Sequence, residues 1–284
     1  MEAINVSNVR GPAPATKKST APYWIWPLRL PVSARRATYD FAGLAQSFCG
    51  GWRWLPASIA AGTIPFLVSY ATGARGHQLI SALLLMMLCL ACARRDDWRK
   101  GVCVMAVAYV AHCAVVIALS YADPSRVAPL LPGAEDYWHK QIGWIQTGMD
   151  PEYQLSEWVP AHLKLLGGAI LFSYTSLGSI IFYQGFYEVD LMNFYNAQLM
   201  AQSSNQALSL ALGWHVWSWL RGLGYLFIAF EIISFSLRRM TGMNGDGSLR
   251  WRRFAVGLAF LLADGLVKVI MLEPVREQMM FNLK

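Results

Sequence analysis

Four charged residues stand inside otherwise apolar stretches of this chain: Arg221 and Glu231 within 206–235, and Asp264 and Lys268 within 252–273. A charge left unpaired in hydrocarbon costs about 3 kcal/mol or more, so each must pair or face water. Arg221 and Glu231 lie about 15 Å apart on a straight helix, too far for an intrahelical salt bridge. Arg221 is therefore expected to reach another helix, a lipid headgroup, an anion or water. Glu231 is expected to pair with the Arg238–Arg239 region or another span. The i,i+4 spacing of Asp264 and Lys268 predicts a salt bridge along one helix face. Lys268 has the alternative of snorkelling toward Glu273 and Arg276, and the deeper Asp264 is a candidate proton carrier. Gly222 and Gly224 permit a bend or a close helix contact beside Arg221. This group reads either as a polar cavity for an anion, a headgroup or a carboxylate-bearing substrate, or as a tie that holds helices in register.

Histidines add a second set. His162 opens the apolar stretch 161–186 next to Lys164, and His215 begins an aromatic run with Trp214, Trp217 and Trp219. If 206–235 runs inward, both histidines sit at a similar depth, where acid–base chemistry is conceivable. His112 is the other deep histidine, and haem ligation would use it with His215. Cys89 and Cys92 share a helix face, with Cys103 and Cys113 on the next helix. They lack convergent partners for a metal, so they read as packing residues. No cofactor and no metal site is expected.

The elements that position these residues are membrane helices. The 284 residues are 55% hydrophobic and 14% charged, with mean hydropathy +0.34. Apolar blocks of the 20-residue class separated by short charged clusters are the pattern of bilayer spans. Helices are predicted near 53–73, 77–93, 101–121, 206–235 and 252–273, with 161–186 as a sixth apolar element. The expected fold is an all-α polytopic bundle with five or six full spans. Residues 1–51 form a cytoplasmic tail, with an aromatic interfacial segment at 22–31 and a short surface helix at 37–50. Residues 52–284 make one transmembrane domain.

Lys and Arg placement sets the orientation. Arg10, Lys17, Lys18, Arg29, Arg35 and Arg36 precede the first span, and Arg94, Arg95, Arg99 and Lys100 follow the second. Both segments are expected in the cytoplasm, which puts the N-terminus inside and the acidic loop 122–160 outside. Within that loop, 134–148 has the pattern of an amphipathic helix lying on the outer surface. A second short segment, bracketed by Pro151 and Pro160, contains Trp158.

Arg238, Arg239, Arg250, Arg252 and Arg253 break this alternation if 161–186 and 206–235 both cross. Either 161–186 is re-entrant, leaving the Lys/Arg-free stretch 187–205 outside, or 161–186 crosses ordinarily and a further helix or a positive-inside violation lies elsewhere.

The net charge of +7 does not point to nucleic acid, because the basic residues cluster beside spans, where orientation and anionic lipid account for them. P-loop and dinucleotide fingerprints are absent. Three function classes fit. The favoured one is a transporter or permease component for a small polar, anionic or lipid-like substrate passing near Arg221, Glu231, Asp264 and Lys268. The others are a non-catalytic subunit or assembly factor, and an enzyme acting on a lipid-linked substrate through His162, His215 or Glu231. Expected partners are membrane lipids, a membrane protein partner or further copies of the chain. The expected location is a bacterial cytoplasmic (inner) membrane.

Overall fold

The computed structural model describes residue 47, residues 50–149, residue 160, residues 163, 164, 166–168, 170–173, 176–241 and 248–284. The anchor expected at 22–31, most of the surface helix expected at 37–50, the segment containing Trp158, and His162 fall outside the described residues. What is described is an all-α membrane bundle. Five helices are long and apolar enough to cross a bilayer: α1 (Trp54–Thr72), α2 (His77–Arg94), α3 (Trp98–Ala122), α8 (Val216–Thr241) and α9 (Trp251–Asn282). Between α3 and α8 lie α4 (Pro124–Val127), α5 (Ala134–Thr147), α6 (Ser179–Ala201) and α7 (Gln206–Gly213).

Local chemistry sets the boundaries. The Gly73 N–H closes α1 on the Ser69 carbonyl at 2.8 Å. Asp97 caps α3 by accepting from Lys100 N at 3.2 Å, which satisfies one of the orphan N–H groups of a helix start. Asp123 ends α3 and caps α4, with Oδ1 accepting from Ser125 Oγ at 2.9 Å and Arg126 N at 3.2 Å. Those bonds, led by the Ser125 hydroxyl, hold this carboxyl below its ordinary range. Asn205 caps α7 through Leu208 N at 3.1 Å. The predicted span 206–235 is two helices, α7 and α8, divided at Trp214 and His215.

One end of the bundle carries the two basic clusters. Asp96, in the α2–α3 turn, binds Arg250 at 2.5 Å and Arg253 at 3.1 Å, both at the start of α9. Partial burial opposes ionisation of Asp96, but the two guanidinium groups prevail and hold its carboxyl below the ordinary carboxylate range. The two basic clusters at 94–100 and 238–253 therefore share one end.

The opposite end carries the loops. Arg75 Nε donates to Pro129 O at 2.8 Å and Arg126 to Ala71 O at 3.2 Å. Arg276 of α9 reaches Ile145 O at 3.0 Å, and Lys284 N bonds Gln202 O at 3.0 Å. Helix α5 lies over this end as an amphipathic cap. Trp138, Trp144 and Ile145 are buried against Tyr195, Trp217 and Met279, while Glu135, Asp136, His139 and Lys140 are exposed.

This arrangement resolves the charge alternation. The stretch 161–186 is not one element: its described residues are helical up to Ser173, turn at Ser176–Gly178, and restart as α6. Gly178 lies against Ile233 near the basic end of α8, whereas Ala201 leads to Ser203, which bridges to Leu283 at the loop end. Helix α6 thus runs the full depth of the bundle, about 34 Å for its 23 residues. Gly148, at the end of α5, lies against Arg276 among the loops, whereas Gly178, at the start of α6, lies toward the basic end, so the two stand at opposite ends of the bundle. The reading of 187–205 as an outer polar segment is corrected. Residues 187–201 belong to α6, and their polar side chains Asp190, Asn193 and Asn196 are fully buried, pointing inward.

Candidate functional site: a buried aspartate between two histidines

Asp190, Asn193 and Asn196 recur at i+3 spacing, which aligns them on one face of α6. That face packs against α2 and α3, and Asp190 meets three side-chain nitrogens there. His77 Nε2 lies 2.8 Å from Oδ2, Gln78 Nε2 2.8 Å from the same oxygen, and His112 Nε2 2.7 Å from Oδ1. His77, His112 and Asp190 are wholly inaccessible to solvent. His112 lies about 15 Å along α3 from its Ala122 end, near the middle of the bundle.

Each partner is placed by its element. His77 is the first residue of α2, immediately after the Gly73–Gly76 turn. His112 is held from behind by α1, where its Nδ1 faces the Gly62 carbonyl at 2.7 Å. This contact depends on a very close α1–α3 crossing. A Cβ on Gly62 would sit 2.2 Å from Ala108 O, so no other residue fits there. Pro65, inside α1, has no N–H to offer the Ala61 carbonyl, and Gly62 O lies in this loosened turn.

The surroundings are apolar and aromatic. The Phe66 ring stands edge-on to both imidazoles, 4.9 Å from His77 and 5.8 Å from His112, and Phe186 stands edge-on to His112 at 4.9 Å. Toward the basic end, Leu85, Leu88, Met105, Ala108, Phe182 and Phe186 form a continuous buried cluster. Toward the loops, Asn193 Oδ1 accepts from Trp214 Nε1 at 3.2 Å, linking the stripe on α6 to the α7–α8 break. In this low-dielectric setting an ionisable carboxylate persists only because its acceptors are matched by donors.

The residues singled out from sequence lie elsewhere. Arg221 crosses from α8 to α9 and grips Asp264 with two bonds, Nε–Oδ2 at 2.9 Å and Nη2–Oδ1 at 3.3 Å. Both Asp264 oxygens are thus engaged across the helix pair. Lys268 is itself buried one turn further along α9. The α8–α9 contact is tight enough for this reach because Gly224 and Gly257 face each other. A Cβ on either would come within 2.9 Å of the other's carbonyl oxygen.

Glu231 is fully buried at the basic end, 2.8 Å from Arg238, and it also accepts from Arg250 N at 2.9 Å. His215 is stacked on Trp217 at 4.3 Å and edge-on to Trp144 at 5.7 Å, under the α5 cap. Glu231 and His215 therefore stand more than 20 Å apart along α8, by its rise of about 1.5 Å per residue. They do not converge on one reaction centre. Among the described residues, the imidazole stacked beside His112 is that of His77, 6.2 Å between centroids. No group of three or more His, Cys, Asp or Glu suited to a metal occurs among the described residues.

Sequence reading missed His77, Gln78 and Asp190. The i+3 spacing of Asp190, Asn193 and Asn196 was the available signal, but it was obscured by reading their polarity as exposure. The chain matches no known family model, no curated protein and no solved structure with which it was compared.

Proposed function

We propose that this integral membrane protein is a proton-coupled transporter of a small polar or anionic solute, with the His77–Asp190–His112 cluster as its proton-handling centre. The observation that carries the reading is a wholly buried aspartate bracketed by two imidazoles at mid-depth in a helix bundle. Ionisable groups in that position are costly and are characteristic of ion pathways and proton relays. A purely structural tie needs no titratable imidazole, and Arg221–Asp264 already supplies such a tie between α8 and α9.

In this reading Arg221 and Asp264 border the solute route and Lys268 lies on the same helix beyond them. Glu231 locks the basic end. That end faces the cytoplasm of a bacterial inner membrane, as the concentration of Arg and Lys there favours. The loop end, with α5, faces outward.

The test is uptake into proteoliposomes under an imposed pH gradient, screened over small organic anions and polar solutes. Wild-type protein is expected to accumulate a solute in proportion to the gradient, and Asp190→Asn to lose that dependence at equal abundance and with native thermal stability. Gradient-driven uptake that persists in Asp190→Asn would overturn the assignment.

A further inference from the structure

We propose that the atom that receives the proton is Nδ1 of His77, and that His112 and Asp190 form a fixed ion pair that positions it. This deepens the reading above and rests on it for its functional meaning, while the protonation states stand on hydrogen bonding alone.

The assignment follows from which atoms can donate. A backbone carbonyl only accepts, so the 2.7 Å contact with Gly62 O requires a hydrogen on His112 Nδ1. The other ring nitrogen of His112 faces Asp190 Oδ1 at 2.7 Å. Asp190 accepts from Gln78 Nε2 on its second oxygen, which His77 Nε2 also faces, and we assign the carboxylate its ionised form, which hydrogen bonds of this kind favour. His112 then carries hydrogens on both nitrogens and has no lone pair left. It is the cation of the pair, and it cannot take another proton.

His77 differs. With Nε2 donating to Asp190, its Nδ1 keeps a lone pair, and that atom is buried with no hydrogen-bond partner among the described residues. A buried nitrogen acceptor with nothing to accept is costly, and protonation changes what it can do. A proton delivered from water forms one N–H bond at Nδ1, breaks no bond in the protein, and takes the cluster from zero net charge to +1. Asp190 stays in place as counter-ion at 2.8 Å.

The groups facing the cluster support this account. From α3 come His112, Tyr109 and Cys113, and from α6 comes Asp190. From α1 come the Phe66 ring and the Gly62 carbonyl, and from α2 the non-titrating Gln78. His77 also opens α2 beside the Gly73–Gly76 turn, so its ring is the member of the cluster nearest the loops in sequence.

The experiment is nitrogen NMR of the full chain labelled with 15N-histidine in lipid nanodiscs, followed across pH. Ring signals are assigned with His77→Gln and His112→Gln. Near neutral pH, His77 is expected as the neutral tautomer with hydrogen on Nε2, and His112 as the imidazolium. Acidification should convert His77 alone. A His112 that titrates, or a His77 carrying hydrogen on Nδ1 at every pH, would overturn the proposal.

His77→Gln gives the second readout, since its amide can still donate to Asp190 but has no proton seat. It is expected to fold and bind solute while losing dependence on the pH gradient, and retained dependence would count against His77. If His77 titrates as described but no gradient drives transport, the transporter reading fails and this assignment stands. If gradient-driven transport is found without titration of His77, the reverse holds.

Discussion

Asp264 illustrates how a single buried charge constrains its neighbours. It is almost wholly buried, and both its oxygens are bound by Arg221 from the adjoining helix. Removing one partner of such a pair strands the other charge, at a typical cost of about 3–5 kcal/mol, whereas replacing both by apolar groups is often near neutral. Arg221→Met alone should therefore lower the thermal stability of the detergent-solubilised protein strongly. The double change Arg221→Met with Asp264→Leu should recover most of that loss, and a double variant no more stable than the single ones would contradict the pairing. That Arg221 must leave its own helix was legible in the sequence, because no acidic residue lies within reach along that helix. So was the attraction of Glu231 to the Arg238 region. The partner of Arg221 was not legible, because Lys268 offered Asp264 an equally good local spacing and sequence does not show which helices touch. His77 was invisible for the same reason, since its importance comes from a carboxylate more than a hundred residues away.

Among the helices, α6 departs most from what its composition announced. Its Glu188, Asp190, Asn193, Asn196 and Gln198 lower its mean hydropathy below that of the five apolar helices, so it read as a polar connection. It is nevertheless an inner helix, because its inward polar groups find partners on α2, α3 and at the α7–α8 break. Periodicity would have been the better guide, as in any helix whose polar face is buried. Helices α1, α2 and α3 were legible to within three residues, since length and hydropathy are enough to define a span, whereas the expected 206–235 is divided at Trp214 and His215 and α9 runs nine residues beyond the expected 273.

The crossing of α1 and α3 gives the test at this scale. Gly62→Val places new atoms on Ala108 O and pushes away the carbonyl that orients His112. Overpacking of this kind typically costs about 1–3 kcal/mol. The variant should melt earlier and should also disturb the His112 ring signals, while Gly222→Ala, which meets nothing within 4 Å, should do neither. Equal effects of the two would refute the close crossing.

For the molecule as a whole, the basic clusters at 94–100 and 238–253 share one end. The loops, the α5 cap and the C-terminus gather at the other. Cysteines introduced at Arg95 and Arg239 should react with a membrane-impermeant thiol reagent from one side of sealed vesicles. Those introduced at Ser125 and Lys284 should react from the opposite side. Reaction of Arg239→Cys and Ser125→Cys from the same side would break the arrangement.

The His77–Asp190–His112 cluster, for which a proton-handling role is proposed, lies between these two ends, with the α5 cap on one side and a buried apolar cluster on the other. Its role is tested most directly by recording the pH inside weakly buffered proteoliposomes while a transported solute is added outside. With wild-type protein, solute addition should change the internal pH, and Asp190→Asn at the same abundance should leave it unchanged. An equal pH change in both, or solute entry with no proton movement in wild type, would contradict proton coupling at Asp190.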